Sequence, residues 1–227
     1  LIRLENVPTI PVPFNEDGPL RTELYPYGGD YEKQLVENTV LSKPLQLPGT
    51  VLRLPMVYGE GDSSNRLYKY VKRMLDNRNA VILDDLYANW RGTRGHVENV
   101  AHAIALAATN EVAKNRIYNV GEEVSLSEKE WVQLIAKVMK WDGKVHSIPR
   151  SDLPEQLIYS LLDLRQDWVV DTSRIRNELN YSELVSIEEA VSRTVDWEEN
   201  NPPKELHPKD FPRFDYESED LVLTKIV

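Results

Sequence analysis

Val51-Leu52-Arg53-Leu54-Pro55-Met56-Val57-Tyr58-Gly59-Glu60-Gly61 is the stretch on which the reading of the fold rests. Its apolar alternation predicts a buried strand over residues 50–57. Upstream, residues 1–29 are rich in turn formers (Pro8, Pro11, Pro13, Gly18, Pro19, Pro26) and read as a loop. A helix is expected over residues 30–41, capped by Asp30 and ended by Pro44 and Pro48. Downstream, helices over 66–77 and 96–109 alternate with short strands over 80–83 and 116–120. Ser127 and Glu130 form a capping box ahead of Trp131, Leu134, Ile135, Val138 and Met139, which mark an amphipathic helix. A strand over 144–148 follows, then a helix over 172–179. A second box, Ser186 with Glu189, opens a helix over 187–199. Beyond Asn200 the pattern decays into prolines and an acidic stretch over 215–220, read as a tail on the surface or a disordered one. Strands alternating with helices give an α/β class.

Composition narrows the function. The formal net charge of −10 argues against a general nucleic-acid binder, which needs clustered Lys and Arg. No cysteine is present among the 227 residues, so disulfides, thiolate nucleophiles and Cys-zinc sites are excluded, in keeping with a reducing, cytoplasmic setting. The four histidines (His96, His102, His146, His207) show no i, i+4 pair, and no metal site is expected. Asp84-Asp85 invites a metal reading, but adjacent carboxylates on a strand point to opposite faces, so a turn is expected there. The apolar runs are too short to cross a bilayer.

A glycine-rich turn running into a helix would cradle the pyrophosphate of a dinucleotide, because it lets backbone N–H groups approach the phosphates. Gly59-Glu60-Gly61 follows a strand but lacks the third glycine and a helical start at the right offset, and Gly92 and Gly95 fare no better. The chain opens on Leu1, not Met, and the expectation is that such a turn lay upstream of it.

Three segments carry a resemblance. The first is the opening stretch, similar to a strand ending R-x-x-x-V-Y-G-x-G. The second is Arg94-Gly95-His96-Val97-Glu98-Asn99-Val100-Ala101, close to R-D-F-x-H-V-x-D-V-A with Asn99 in the usual Asp position. The third is Asp171-Thr172-Ser173-Arg174 through Glu178-Leu179-Asn180-Tyr181, with Asn180 where Gly is usual. Tyr118-Asn119-Val120-Gly121 adds a fourth match. In this order the chain resembles the extended short-chain dehydrogenase/reductases, the NAD-dependent epimerases and dehydratases, over roughly residues 25–200.

The resemblance implies a partial Rossmann-like parallel sheet lacking its first βαβ units. It implies a core with the catalytic helix over 1–120, a smaller α/β substrate-binding portion over 121–200, and an acidic tail over 201–227. It implies NAD or NADP as cofactor, not bound by this chain alone. It further implies a small nucleotide-sugar-like substrate, no nucleic-acid or membrane partner, and either a homodimer or a missing amino-terminal half.

Family chemistry needs Tyr and Lys four apart on one helix, so that the ammonium lowers the phenol's pKa. Lys33 and Glu37 match the family's K-x-x-x-E, but Gly29 stands where the Tyr is expected. Tyr31 is the nearest phenol on the helix, although i and i+2 lie about 200° apart. Tyr25 and Tyr27 in the preceding loop stay open as alternatives, and Lys33 reads equally as a solvated helix lysine. Pro55, Met56 and Val57 are the residues implied beside a nicotinamide. Arg66, Arg91 and Arg94 are those implied near a substrate phosphate, which guanidinium binds in bidentate fashion, each reading also as a surface arginine. His96, counted with the substrate side, matches the start of a helix packed near the site. The missing tyrosine also fits a non-catalytic scaffold of the same superfamily, and the missing turn fits one chain of a split enzyme.

Overall fold

Helix α1 (Lys33–Leu41) leads to strands β1 (Thr50–Arg53) and β2 (Met56–Tyr58), then α2 (Tyr68–Leu75), β3 (Ala80–Asp84), α3 (Asp85–Asn89) and β4 (Arg94–His96). After these come α4 (Val97–Thr109), β5 (Arg116–Asn119), α5 (Glu128–Val138), β6 (Lys144–Ile148), α6 (Ser173–Leu179), α7 (Ile187–Asn200) and α8 (Tyr216–Leu223). The computed structural model describes residues 10–19, 33–43, 45–159, 164–204 and 214–226; Asp30, expected as a cap, lies outside them.

The strand expected over 50–57 is broken in two at Leu54-Pro55. Proline has no N–H for a ladder, and Leu54 is exposed there. The helix expected from residue 66 starts at Tyr68, because Asp62 holds the preceding turn by accepting from Ser64 N and Arg66 N. Asp84 does more than turn the chain: it caps α3, accepting from Tyr87 N at 2.9 Å. The acidic stretch expected as a tail contains helix α8, capped by Asp215 through Ser218 N. The Ser127–Glu130 capping box is present at α5, and Asn180 ends α6 in the left-handed conformation at φ 53°.

The chain divides into two compact units. Unit 1 comprises Leu1–Val57, Thr93–Val124 and Trp168–Val185. In it β1 runs parallel to β5, with Thr50 opposite Arg116 and Arg53 opposite Asn119, while β2 pairs with β4. Its core joins Val100, Ala103 and Ala107 of α4 to Tyr118 and Val120 and to Ile175 and Leu179 of α6. Helix α1 lies against β1 but contributes no buried residue.

Unit 2 comprises Tyr58–Gly92, Ser125–Asp167 and Ser186–Val227. Here β3 is parallel to β6 from Ala80↔Lys144 to Asp84↔Ile148. Helices α2, α5 and α7 pack on one another because each carries apolar side chains at i, i+3, i+4 spacing. Trp131 of α5 is fully buried and meets the Tyr58 ring edge-on at 5.2 Å.

Candidate functional site

In unit 1 the site is built where β1 and β5 end and β2 begins beside β4. Pro55 stops the β1 ladder, and Met56 N then donates to Thr93 O at 3.2 Å. Gly95 and Gly121 are required by the closeness of this crossing. A Cβ on Gly95 would lie 2.9 Å from Pro55 and Val100, and one on Gly121 only 2.2 Å from Thr93. The crossing leaves Pro55, Met56 and Val57 half-buried at the strand end.

Arg94 and His96 of β4 share this region and are buried, Arg94 to 4% exposure and His96 to 0%. Arg94 O accepts from Glu122 N at 2.9 Å. His96 occupies the position before α4 in extended conformation, without capping through its side chain. Asn99, one turn into α4, accepts from Leu184 N and Val185 N and donates to Val185 O, all at 2.9 Å. An aspartate could accept the two bonds but could not donate the third, so the Asn at this position completes a clamp on the segment after α6.

Lys33 is exposed at the start of α1. Four residues on, Glu37 receives a bidentate pair from Arg53 of β1, at 2.9 and 2.8 Å. The third Arg53 nitrogen donates to Glu16 O at 3.0 Å. The helix that bears Lys33 is thereby tied to the strand that leads to Pro55. Tyr31, Tyr25, Tyr27 and Gly29 lie outside the described residues. Among described tyrosines with a displaced pKa, the movement is upward each time and burial leads: Tyr68, Tyr118, Tyr216, and Tyr181, which is pushed up to about 12. None of these four has the lowered phenol that proton transfer to a hydroxyl requires.

Arg66 belongs to unit 2. It pairs with Asp62, four residues before it, and keeps about a third of its side chain exposed. Arg91, also of unit 2, is half exposed and pairs with Asp167 at 2.9 Å. The structure thus gathers Pro55, Met56, Val57, Arg94 and His96 in unit 1, joins Lys33 to their strand, and places Arg66 in the other unit.

Two features of unit 2 were not singled out in the sequence. Glu198 of α7 is 1% exposed, and burial, followed by the charge of Asp62, pushes its pKa up to about 8. The backbone N–H groups of Leu67 and Tyr68 at the start of α2 pull it the other way. A signal existed: Glu198 continues the buried stripe Ala190, Val191, Thr194, Val195 at helical spacing. The other is Lys69, whose Nζ bonds Tyr87 Oη at 2.7 Å and lies over the Tyr70 and Tyr87 rings at 4.7 and 4.9 Å. Tyr87 stacks on Tyr159 at 4.1 Å. No spacing rule brings residues 69, 87 and 159 together.

Parallel strand pairs covered by helices, with a proline–glycine crossing at the strand ends, define an α/β protein of the Rossmann-like kind. The model of the NAD dependent epimerase/dehydratase family matches residues 7–121, just over half of the 227, and the chain belongs to that family. It is 23% identical over 216 residues to the uncharacterized protein y4nL of Sinorhizobium fredii, covering 82% of this chain and 60% of that one. It is similar in fold to dTDP-glucose 4,6-dehydratase from Bacillus anthracis in complex with NAD: TM-score 0.61, 20% identity, 87% of this chain and 58% of the other. It also resembles MoeE5 in complex with UDP-glucuronic acid and NAD: TM-score 0.64, 19% identity, 85% and 61% covered. The chain spans 49–60% of the length of the curated relatives it matches.

Among the described residues, glycines with positive φ occur at Gly59 and Gly61, and that turn is closed by Asp62 N donating to Gly59 O instead of opening into a helix. This turn therefore does not fit the pyrophosphate of a dinucleotide. No helix among them is long and apolar enough to cross a membrane.

Proposed function

We propose that the chain is the carboxyl-terminal part of an NAD(P)-dependent epimerase, dehydratase or reductase acting on a nucleotide-sugar-like substrate in the cytoplasm. In this reading Pro55, Met56 and Val57 border the nicotinamide. Lys33, with Tyr31 or a loop tyrosine, moves the proton, and Arg66, Arg94 and His96 serve the substrate side. The cofactor, when bound, supplies hydride acceptance and donation. The residues of this chain shape the strand end and hold the helix of Lys33 in place. The observation that carries the reading is the bidentate Arg53–Glu37 pair, which fastens the K-x-x-x-E helix to the strand ending at Pro55. The chain alone is expected not to bind dinucleotide. Calorimetric titration with NAD+ and NADP+ checks this: no heat of binding is the expected result, and micromolar affinity overturns it.

A second reading, one chain of a two-chain enzyme, is favoured by the surface of α1 and the loop after it. Leu35, Val36, Val40, Leu45 and Leu47 are all exposed there, and exposed apolar side chains in such number support a partner's covering them. A chain supplying the glycine-rich half should then raise the melting temperature and confer NAD binding on the pair. Mixing without either effect excludes this reading.

A further inference from the structure

Helix α8 is attached within unit 2 by Val222, which packs with Ile148, Leu153 and Leu157, and by charge. Only Glu219 and Val222 of the helix are buried, and Leu221 is 64% exposed. Glu219 Oε1 accepts from both Nε and Nη2 of Arg73, at 2.9 and 2.6 Å. Arg78 pairs with Asp220 and also stands 3.8 Å from Glu219 Oε2. Two guanidiniums therefore converge on one buried carboxylate, with Lys72 on the same helix as Arg73.

Glu219 fills this position incompletely. Its Oε2 is buried without a hydrogen bond, and it borders a cavity of about 20 Å³ lined by Tyr70, Leu157 and Tyr159, room for about one water. A carboxylate offers two oxygens in one plane, whereas a tetrahedral phosphate offers three to the same nitrogens. The other carboxylate on the cavity wall does not oppose an anion freely: Asp84 already accepts from Tyr87 N and Tyr159 N, at 2.9 and 3.1 Å.

We propose that Arg73 and Arg78 form a binding site for the phosphates of a small di- or triphosphate, and that α8 is an acidic strap occupying that site until such an anion displaces it. Glu219 and Asp220 stand in for phosphate oxygens. The site lies wholly in unit 2 and does not depend on the dinucleotide reading.

Hydrogen–deuterium exchange at residues 216–223 of the full chain, with inorganic pyrophosphate titrated at constant ionic strength, tests the proposal. Exchange in α8 should accelerate saturably. Asp220→Asn, which loosens the strap and keeps both arginines, should lower the half-saturating concentration roughly tenfold. Arg78→Gln should raise it. Tyr216→Phe, which removes the bond to Asp76 and leaves every charge in place, should shift it in the same direction as Asp220→Asn and guards against a folding defect in that variant. No saturable change, equal release by sodium chloride at matched ionic strength, or indifference to Arg78→Gln would each overturn the proposal.

Discussion

Asn99, Asn119 and Glu16 of unit 1 and Arg73, Glu128 and Glu219 of unit 2 are buried to a similar depth, but they bond to different kinds of partner. In unit 1 the hydrogen-bond partners are main-chain groups, and Glu16 adds one ion pair, with Arg174 Nε at 3.5 Å. Asn99 clamps residues 184–185, Asn119 Nδ2 donates to Phe14 O and Asp171 O, and Glu16 accepts from Asn119 N. In unit 2 they are other side chains, charged or phenolic: Arg73 on Glu219, and Glu128 accepting from Tyr70 Oη at 2.7 Å with Lys69 Nζ at 4.0 Å. Side chain-to-backbone bonds join segments distant in sequence and respond weakly to salt. Ionic contacts between side chains respond to whatever alters a charge. Asn99 and Asn119 therefore have the character of a fixed frame, and the Arg73–Glu219 and Glu128 contacts that of parts tunable by ions and pH. Unit 1 nonetheless carries ion pairs of its own, Arg53–Glu37 and Arg176–Glu183 among them.

The sharpest way to break this comparison is to strip one charge from unit 2. Arg73→Met should cost roughly 3–5 kcal/mol, because it removes both hydrogen bonds from the buried Glu219 carboxylate, and Glu219→Leu added to it should recover most of the loss. Denaturant unfolding of both variants checks this; a single variant as stable as the parent would erase the contrast.

Glu198 gives the next largest effect. Its acid is favoured in the folded state, so stability is intact below about 4.5, declines as pH rises from there to about 8, and then levels off. Glu198→Gln should remove that decline and be more stable than the parent at pH 8.5 by roughly 2–4 kcal/mol, with little difference at pH 4.5. Melting curves across that range read it, and parallel pH profiles would refute it.

In unit 1, Asn99→Ala should cost about 2 kcal/mol by leaving the buried Val185 N–H and the part-buried Leu184 N–H without their acceptor. The loss should be the same at low and high ionic strength; a salt-dependent loss would blur the distinction between the units. The smallest effect is expected at Ser127→Ala, about 1 kcal/mol from loss of the α5 cap, measurable as a small drop in melting temperature.

Much of the secondary structure was legible because its signals are local. The capping box at Ser127 and Glu130, the strand over 144–148 and the αL terminator Asn180 depend on neighbours within a few residues. The split of the strand at Pro55 was also written locally, in a proline without an N–H, yet the alternation around it reads as continuous. Helices α3 and α8 were missed because each is too short to show a sustained apolar period. Asp84 reads as a turn former until the Tyr87 N–H reaches it, and Glu219 reads as tail until it meets Arg73. Within the candidate site, Lys33, Glu37 and the Pro55–Val57 strand end were readable from motif spacing. The Arg53–Glu37 pair was not, since it joins a helix to a strand 16 residues on.

Chain order was enough for the α/β class, the positions of most helices and strands, and membership of the epimerase/dehydratase family, because periodicity, caps and motif spacing are properties of neighbouring residues. Burial was another matter. That Arg94 and His96 are buried in unit 1 while Lys33 of the same unit is exposed, that Glu198 is held as an acid, and that α8 closes on two arginines follow from segments far apart in the chain being packed against each other. Desolvation and ion pairing depend on that packing, and no local pattern encodes it.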